Sequence, residues 1–445
     1  MDGGNDLAGD FTERRLKNGI TLYIWSTSKF KTTTVQVFLH QALRRETATE
    51  IALLPMVLRR GTRRLPETID LWRRLDRLYG AEFGGDVLKK GERQIIDLGI
   101  NLANEKFLGG SANLLEDAIE LLADALLDPV TEGDGFRRDY VEQEKENLRR
   151  QIESLFNDKI HYSMARCYEE MCAGEPYAVY KYGRVEDIDG ITPASLHARY
   201  RGILRQSPID IFVVGDVDPD RLETLVSRHF NFQREAADPL PPTLVRSDPG
   251  HAARRVVEPQ DVTQGKLCLG YRTGVTRGDR EWYPLVVANG VLGGYAHSKL
   301  FTYVREKASL CYYAYSSLEG TKGLGMIYSG IEVDKYEQAL DLIQKQVAAT
   351  QQGDISDYEF DSTKKALIRD LKGAEDSPDQ KIGAALDMMV NGASETTEQR
   401  IRRIEAVTRE QTAEAARRFK LDTVYFLRDE AGTPAPAKPT VGVMS

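Results

Sequence analysis

The chain has 445 residues, 41% hydrophobic and 29% charged, enough to bury a sizeable core and to form roughly two to four domains. Its 60 basic and 68 acidic side chains leave a net charge of −8, which excludes a dedicated polyanion binder unless basic residues cluster locally. Nucleic acid is therefore not an expected partner.

The opening MDGGNDLAGDFTERRLKNGI carries acids early and has no apolar run of the length a secretory signal needs, so none is expected. No stretch approaches the roughly 18 apolar residues of a membrane span, and no membrane partner is expected. Cys167, Cys172, Cys268 and Cys311 lack CxxC spacing. They indicate neither a disulfide framework nor a zinc knuckle, and a reducing cytoplasm is the expected location.

In chain order, the tract LRRGTRRLPETIDLWRRLDRLYG comes first, with seven arginines between Arg59 and Arg77 and Trp72 among them. A patch for nucleic acid or an acidic peptide is one reading of it. A solvated helix face is the favoured one, because Glu67, Asp70 and Asp76 are interleaved and can pair with the arginines. A strand over 94–102 follows the turn KKGE. In LEDAIELLADALLDP, Leu115, Ile119, Leu122 and Leu126 recur at helical spacing and face a core. A polar helix starts near Asp139. His161, Cys167, Glu169, Glu170 and Cys172 form the one local group of metal-binding types, but the spacing fits no common zinc pattern, so a surface helix with two buried thiols is preferred.

The stretch 237–253, ADPLPPTLVRSDPGHAA, reads as an extended linker between domains at 1–236 and 255–430. Gly293-Gly294 does not extend into a phosphate-cradling loop, and no GxxxxGK[ST] or GxSxG occurs. Next, Ser298 is positioned to cap a helix ending near Lys307, and a strand is expected from about Leu310. That brings Arg305 and Tyr312 toward one point, where a guanidinium and a phenol could donate to a peptide carbonyl or an oxyanion. The bland alternative is a helix-terminal arginine facing its own carbonyls and a tyrosine in the core.

A strand over 325–333 after the turn GTKG, a helix with Tyr336, Leu340, Ile343 and Val347 on one stripe, and a polar helix from Asp357 then repeat the first half's order. Each half reads as strand, helix, hairpin, helix, helix, an α+β unit. The tail from Ala431 is rich in proline and small residues and is expected to be disordered. The six histidines (His40, His161, His197, His229, His251, His297) are never closer than 22 residues, which excludes any HExxH or HxxEH site.

The segment PLVVANGVLGGYAHSKLFTYVREKASLCYYAYSS resembles the C-terminal half of the insulinase or pitrilysin (M16) zinc peptidases, in which LGG, S-x-L-F and REK-x-x-L-x-Y recur in that order. LKNGITLYI, YKYGRVEDIDGITPASL and IDIFVVGDVDPDRL extend the resemblance to nearly the whole chain. It implies two homologous α+β domains forming half of a clamshell. It also implies that the HxxEH zinc motif of active members falls on ALLPMVLRRGT, with Ala52 and Met56 at the ligand histidines, Pro55 at the catalytic glutamate and Gln151 at the distal glutamate ligand. Such side chains cannot hold Zn²⁺, so no cofactor is expected on this chain. By the same resemblance Arg305 and Tyr312 match an arginine and tyrosine that grip substrate. KTTTVQVFLH, LLPMVLRRGT and LYGAEFGGDVLKKGE are similar to a zinc-motif-lacking branch associated with elongation factor P modification.

The resulting expectation is a pseudo-peptidase, not an enzyme alone, that binds an unfolded peptide or small protein. It would form a heterodimer with an HxxEH-bearing homologue that holds the zinc. A stand-alone peptide-binding scaffold is the rival from another class. An active peptidase with ligands relocated around His161, Glu169 and Cys172 is a third.

Overall fold

The computed structural model describes residues 10–108 and 113–429. The disorder expected from Ala431 falls outside them. The chain is α+β and divides into two compact units that are not the two halves of the sequence. The first combines Met1–Asn157, Gly174–Leu244 and Asp370–Ile401, and the second combines Asp158–Ala173, Val245–Arg369 and Arg402–Ser445.

The first unit is built on strands β1 (Thr12–Arg15), β2 (Thr21–Ser26), β3 (Thr32–Ala42), β4 (Glu82–Lys90), β5 (Arg93–Ala103) and β6 (Ile209–Gly215), in the sheet order β1-β2-β6-β3-β5-β4. β3 and β5 pair antiparallel from Thr32 opposite Ala103 to Ala42 opposite Arg93. β6 (IDIFVVG) is buried along its whole length because it lies between β2, to which it is parallel, and β3. The second unit uses β7 (Arg254–Pro259), β8 (Gly265–Arg272), β9 (Cys311–Glu319), β10 (Leu324–Ile331) and β11 (Lys420–Arg428), ordered β9-β10-β8-β11-β7. Both sheets have a hairpin at one edge and a late strand that returns beside the first long one and runs parallel to its other neighbour. That shared plan is the physical form of the sequence repeat.

Helices fix which face of each sheet becomes core. In the first unit α1 (Ala48–Leu58) and α2 (Arg138–Asn157) contribute to the larger core with Ile96, Leu98 and Ile100 of β5. The stripe at 115–126 packs there through Ile119, Leu122 and Leu126; Leu114 is buried in place of Leu115, which is half-exposed. The opposite face, with Tyr23, Phe38, Ile95 and Phe212, is covered by Ile382 and Leu386 of a helix from late in the chain, Pro378–Val390. In the second unit α3 (Lys159–Met171), from early in the chain, lies on β8 and β11, where Cys167 packs with Cys268 and Tyr425. A Cβ on Gly270 would stand 2.7 Å from Met171 Sδ, so this glycine admits the helix. Buried Arg272 anchors it by donating to the Met171 carbonyl at 2.7 Å while paired with buried Asp422. The two thiols expected to be buried, Cys167 and Cys172, are so, and Cys167 places this helix in the core of the second unit.

The linker at 237–253 has no regular structure, yet it is tethered: the Asp238 N–H reaches the Gln206 carbonyl at 2.8 Å, and Leu244 N–H the Glu92 carboxylate at 3.2 Å. Among the described residues no helix is long and apolar enough to cross a membrane.

Candidate functional site

The stretch that the resemblance aligns with the zinc motif lies largely on α1. Apolar side chains bury this helix almost all round, and Pro55 interrupts its hydrogen bonding because it has no N–H to give to Ile51. Ala52 and Pro55 are buried, and Met56 packs against the core. Pro55 fits against β4 at Gly85, where a Cβ would stand 3.3 Å from the proline and 2.5 Å from Leu98 Cδ2.

Gln151, on α2, is within hydrogen-bonding reach of the Tyr182 phenol. That phenol sits 2.9 Å from both Asp86 oxygens. Lys181 Nζ donates to Asp86 at 3.0 Å and to the Val87 carbonyl at 2.9 Å, so protein partners engage the Asp86 carboxylate. Burial, then the Asp86 charge, pushes the Tyr182 hydroxyl up, so it stays a neutral donor. Alanine, proline, methionine and a glutamine amide do not fit a zinc ion, and among the described residues no group of three or more His, Cys, Asp or Glu could hold a metal.

Opposite Asp86 on the next strand stands Asp97. Its Oδ1 is buried without a hydrogen-bond partner among the described residues. Burial first, then the charges of Asp86 and Asp379, push its carboxyl up from the usual 3.8 to about 7.

The relocated-ligand group does not converge. His161 is exposed and held 2.7 Å from Asp158, Arg166 engages Glu169 and Glu170, and Cys167 and Cys172 are buried with no exposure. Burial pushes the Cys167 thiol well up, which disfavours the thiolate that metal ligation needs.

Arg305 and Tyr312, by contrast, are brought together. The segment Leu300–Lys307 is a wide π-type helix, and its last turn closes with Ala308 N–H on the Tyr303 carbonyl at 3.2 Å and Leu310 N–H on the Val304 carbonyl at 3.1 Å. Ser309 then turns the chain with φ 51°, a left-handed conformation rare for a residue with a Cβ. The strand begins at Cys311, and its register skips: Cys311 faces Ile331 and Tyr313 faces Gly330. Tyr312 is therefore the bulged residue on the edge strand and is 65% exposed instead of filling the core. The Arg305 guanidinium lies 4.5 Å over the Phe301 ring and 3.4 Å from Glu306.

Both side chains line one depression of about 380 Å³, together with Glu306, Ser309, Leu310, Cys311 and Glu332. A guanidinium and a phenol there can donate to carbonyl oxygens, and the two glutamates can accept from backbone N–H groups. Sequence reasoning missed Ser309, Glu306 and Glu332. No composition signal marks a left-handed serine, and Glu332 reaches the rim only through the β9–β10 hairpin.

The arginine tract is a paired surface, but its acids come largely from other elements. Arg73 pairs with Asp70 at 3.1 Å, whereas Arg74 reaches Asp117, Arg64 reaches Glu120 and Arg60 reaches Glu144.

Residues 190–367 match the family profile "Peptidase M16 inactive domain". The probable inactive metalloprotease YmfF of Bacillus subtilis is 38% identical over 422 residues, covering 93% of this chain and 97% of that protein. The crystal structure of a conserved protein from Enterococcus faecalis V583 superposes with TM-score 0.87 at 30% identity, over 96% of this chain and 100% of that one. A peptidase M16 inactive domain from Pseudomonas fluorescens shares the fold, with TM-score 0.77 at 18% identity over 97% of this chain and 100% of that one.

Proposed function

The chain belongs to the M16 peptidase family as a non-catalytic member, and from that premise we propose that it is the substrate-holding subunit of a two-chain peptidase. The partner is a homologue that keeps HxxEH and holds the zinc; this chain supplies Arg305 and Tyr312. The observation that carries the reading is the placement of these two donors on one depression, in a chain where the resemblance aligns the zinc-motif positions with Ala52, Pro55, Met56 and Gln151. An extended, unfolded peptide presents carbonyl oxygens at regular intervals, and a guanidinium and a phenol on a rigid turn can orient one of them beside the partner's zinc site. The connection to elongation factor P modification rests on the resemblance alone and names a first substrate pathway to test.

The test is co-purification of the full chain with the HxxEH homologue from the same genome, followed by hydrolysis of an unfolded protein. Arg305→Ala and Tyr312→Phe are expected to leave the complex intact on gel filtration and to lower kcat by roughly 10²-fold, as for loss of an oxyanion donor. Unchanged turnover in an intact complex would refute the assigned role. Peptide binding by the chain alone, with no complex, would favour the stand-alone scaffold.

A further inference from the structure

Between the helix Leu300–Lys307 and β9 the chain turns at Ser309, with φ 51°. A residue with a Cβ meets steric strain in this left-handed region and glycine does not, so glycine is the usual occupant. Among the described residues other than glycine, only Tyr79 shares a positive φ. Hydrogen bonds hold the strained turn from both sides. Ala308 N–H reaches the Tyr303 carbonyl at 3.2 Å and Leu310 N–H the Val304 carbonyl at 3.1 Å, and Val304 and Cys311 are buried before and after it. Such strain persists only where the surroundings over-determine it, and it clusters at ligand sites.

Nothing in the fold calls for the serine hydroxyl. Ser309 is exposed, and its side chain makes no hydrogen bond with a described residue. A glycine would make the same turn without the strain. What serine adds is a hydroxyl at the wall of the depression that Arg305 and Tyr312 share. The carboxylates of that depression are already engaged: Glu306 lies 3.4 Å from Arg305, and Glu332 is held by Lys335 at 2.7 Å. Cys311 contributes a thiol whose ionisation is disfavoured by burial.

An extended peptide presents N–H as well as C=O groups, and a guanidinium, which only donates, serves the carbonyls alone. A hydroxyl donates one hydrogen bond and accepts two, so it can take an N–H that the guanidinium cannot. We infer that Ser309 is a third contact for the backbone of a bound peptide, its hydroxyl accepting an N–H beside the carbonyl that Arg305 and Tyr312 hold. The inference rests on the assignment of that pair to substrate, and it explains why a strained serine stands where glycine would turn the chain more easily.

The test is a fluorescence-anisotropy titration of fluorescein-labelled, dephosphorylated β-casein, an unfolded polypeptide, with the full chain and with Ser309→Ala, Ser309→Gly and Arg305→Ala. Ser309→Ala is the decisive variant, because it keeps the Cβ and the strain of the turn and removes only the oxygen. Its thermal midpoint should equal that of wild type, since the oxygen has no protein partner to lose. Casein binding should weaken roughly three- to tenfold, the loss expected for one neutral hydrogen bond. Ser309→Gly also relieves the strain, so its midpoint should be no lower than wild type, with the same loss of binding. A role in the turn alone predicts a different pattern, in which Ser309→Ala binds like wild type, and that result would overturn the inference. Binding lost with Arg305→Ala but not with Ser309→Ala keeps the assigned pair and removes Ser309. Binding lost with Ser309→Ala but not with Arg305→Ala keeps the hydroxyl contact and overturns the role of the guanidinium. No saturable binding of casein by wild type would overturn both.

Discussion

Asp97→Asn is expected to stabilise the first unit at neutral and alkaline pH. In the folded chain the carboxyl titrates at about 7 instead of 3.8, so between those values the native state holds a proton that the unfolded state has released. Where the native state binds more protons, stability falls as pH rises. The penalty is absent below about pH 4, grows through the window and is complete above about pH 7, where a charged carboxylate with a buried, unpartnered oxygen must be kept in the sheet. At 1.36 kcal/mol per pH unit, the interval corresponds to roughly 4 kcal/mol. Asparagine keeps the shape and cannot charge. Urea unfolding at several pH values between 4 and 8, in a Trp282→Phe background so that Trp25 and Trp72 report on the first unit, should show the variant's stability nearly flat. Wild type should decline across the same range. Parallel profiles, or a wild type that gains stability toward pH 8 relative to the variant, would refute the burial argument.

Other outcomes follow from named contacts. Leu386→Ala, at a fully buried position on the late helix that packs against Phe212, should cost about 2–5 kcal/mol of first-unit stability by the same fluorescence assay. Gly183 has φ +73° and a Cβ there would stand 2.0 Å from Thr49 Oγ1 and 2.6 Å from Thr49 N, so Gly183→Ala should destabilise by roughly 2–5 kcal/mol and lower the thermal midpoint. Elemental mass spectrometry of the purified chain, dialysed without chelator, should find far less than one zinc per chain. A value near one would mean that the ligand positions have been placed on the wrong residues.

Several features were legible in the sequence because they are local. Helical spacing marked Tyr336, Leu340, Ile343 and Val347 as a buried stripe, and all four are buried. The turns KKGE and GTKG were readable because Gly91 and Gly323 take positive φ there. The family was legible in ordered short motifs. The seven-residue spacing of Arg305 and Tyr312 was legible too, although the left-handed Ser309 and the bulge that expose Tyr312 were not.

What the sequence determined by itself is therefore what depends on neighbours along the chain: the periodicity that makes helices and strands, the twofold repeat and the family. Tertiary structure decided which surfaces those elements would meet. Amphipathic periodicity states that Lys159–Met171 and Pro378–Val390 each have an apolar face, but not which sheet that face covers; packing set Cys167 against Cys268 and Tyr425, and Ile382 and Leu386 against Phe38 and Phe212. The elevated Asp97 carboxyl arises in the same way. Burial and the distance to a charge are properties of assembled strands, and residues as remote as Asp97 and Asp379 acquire their chemistry only when the chain closes around them.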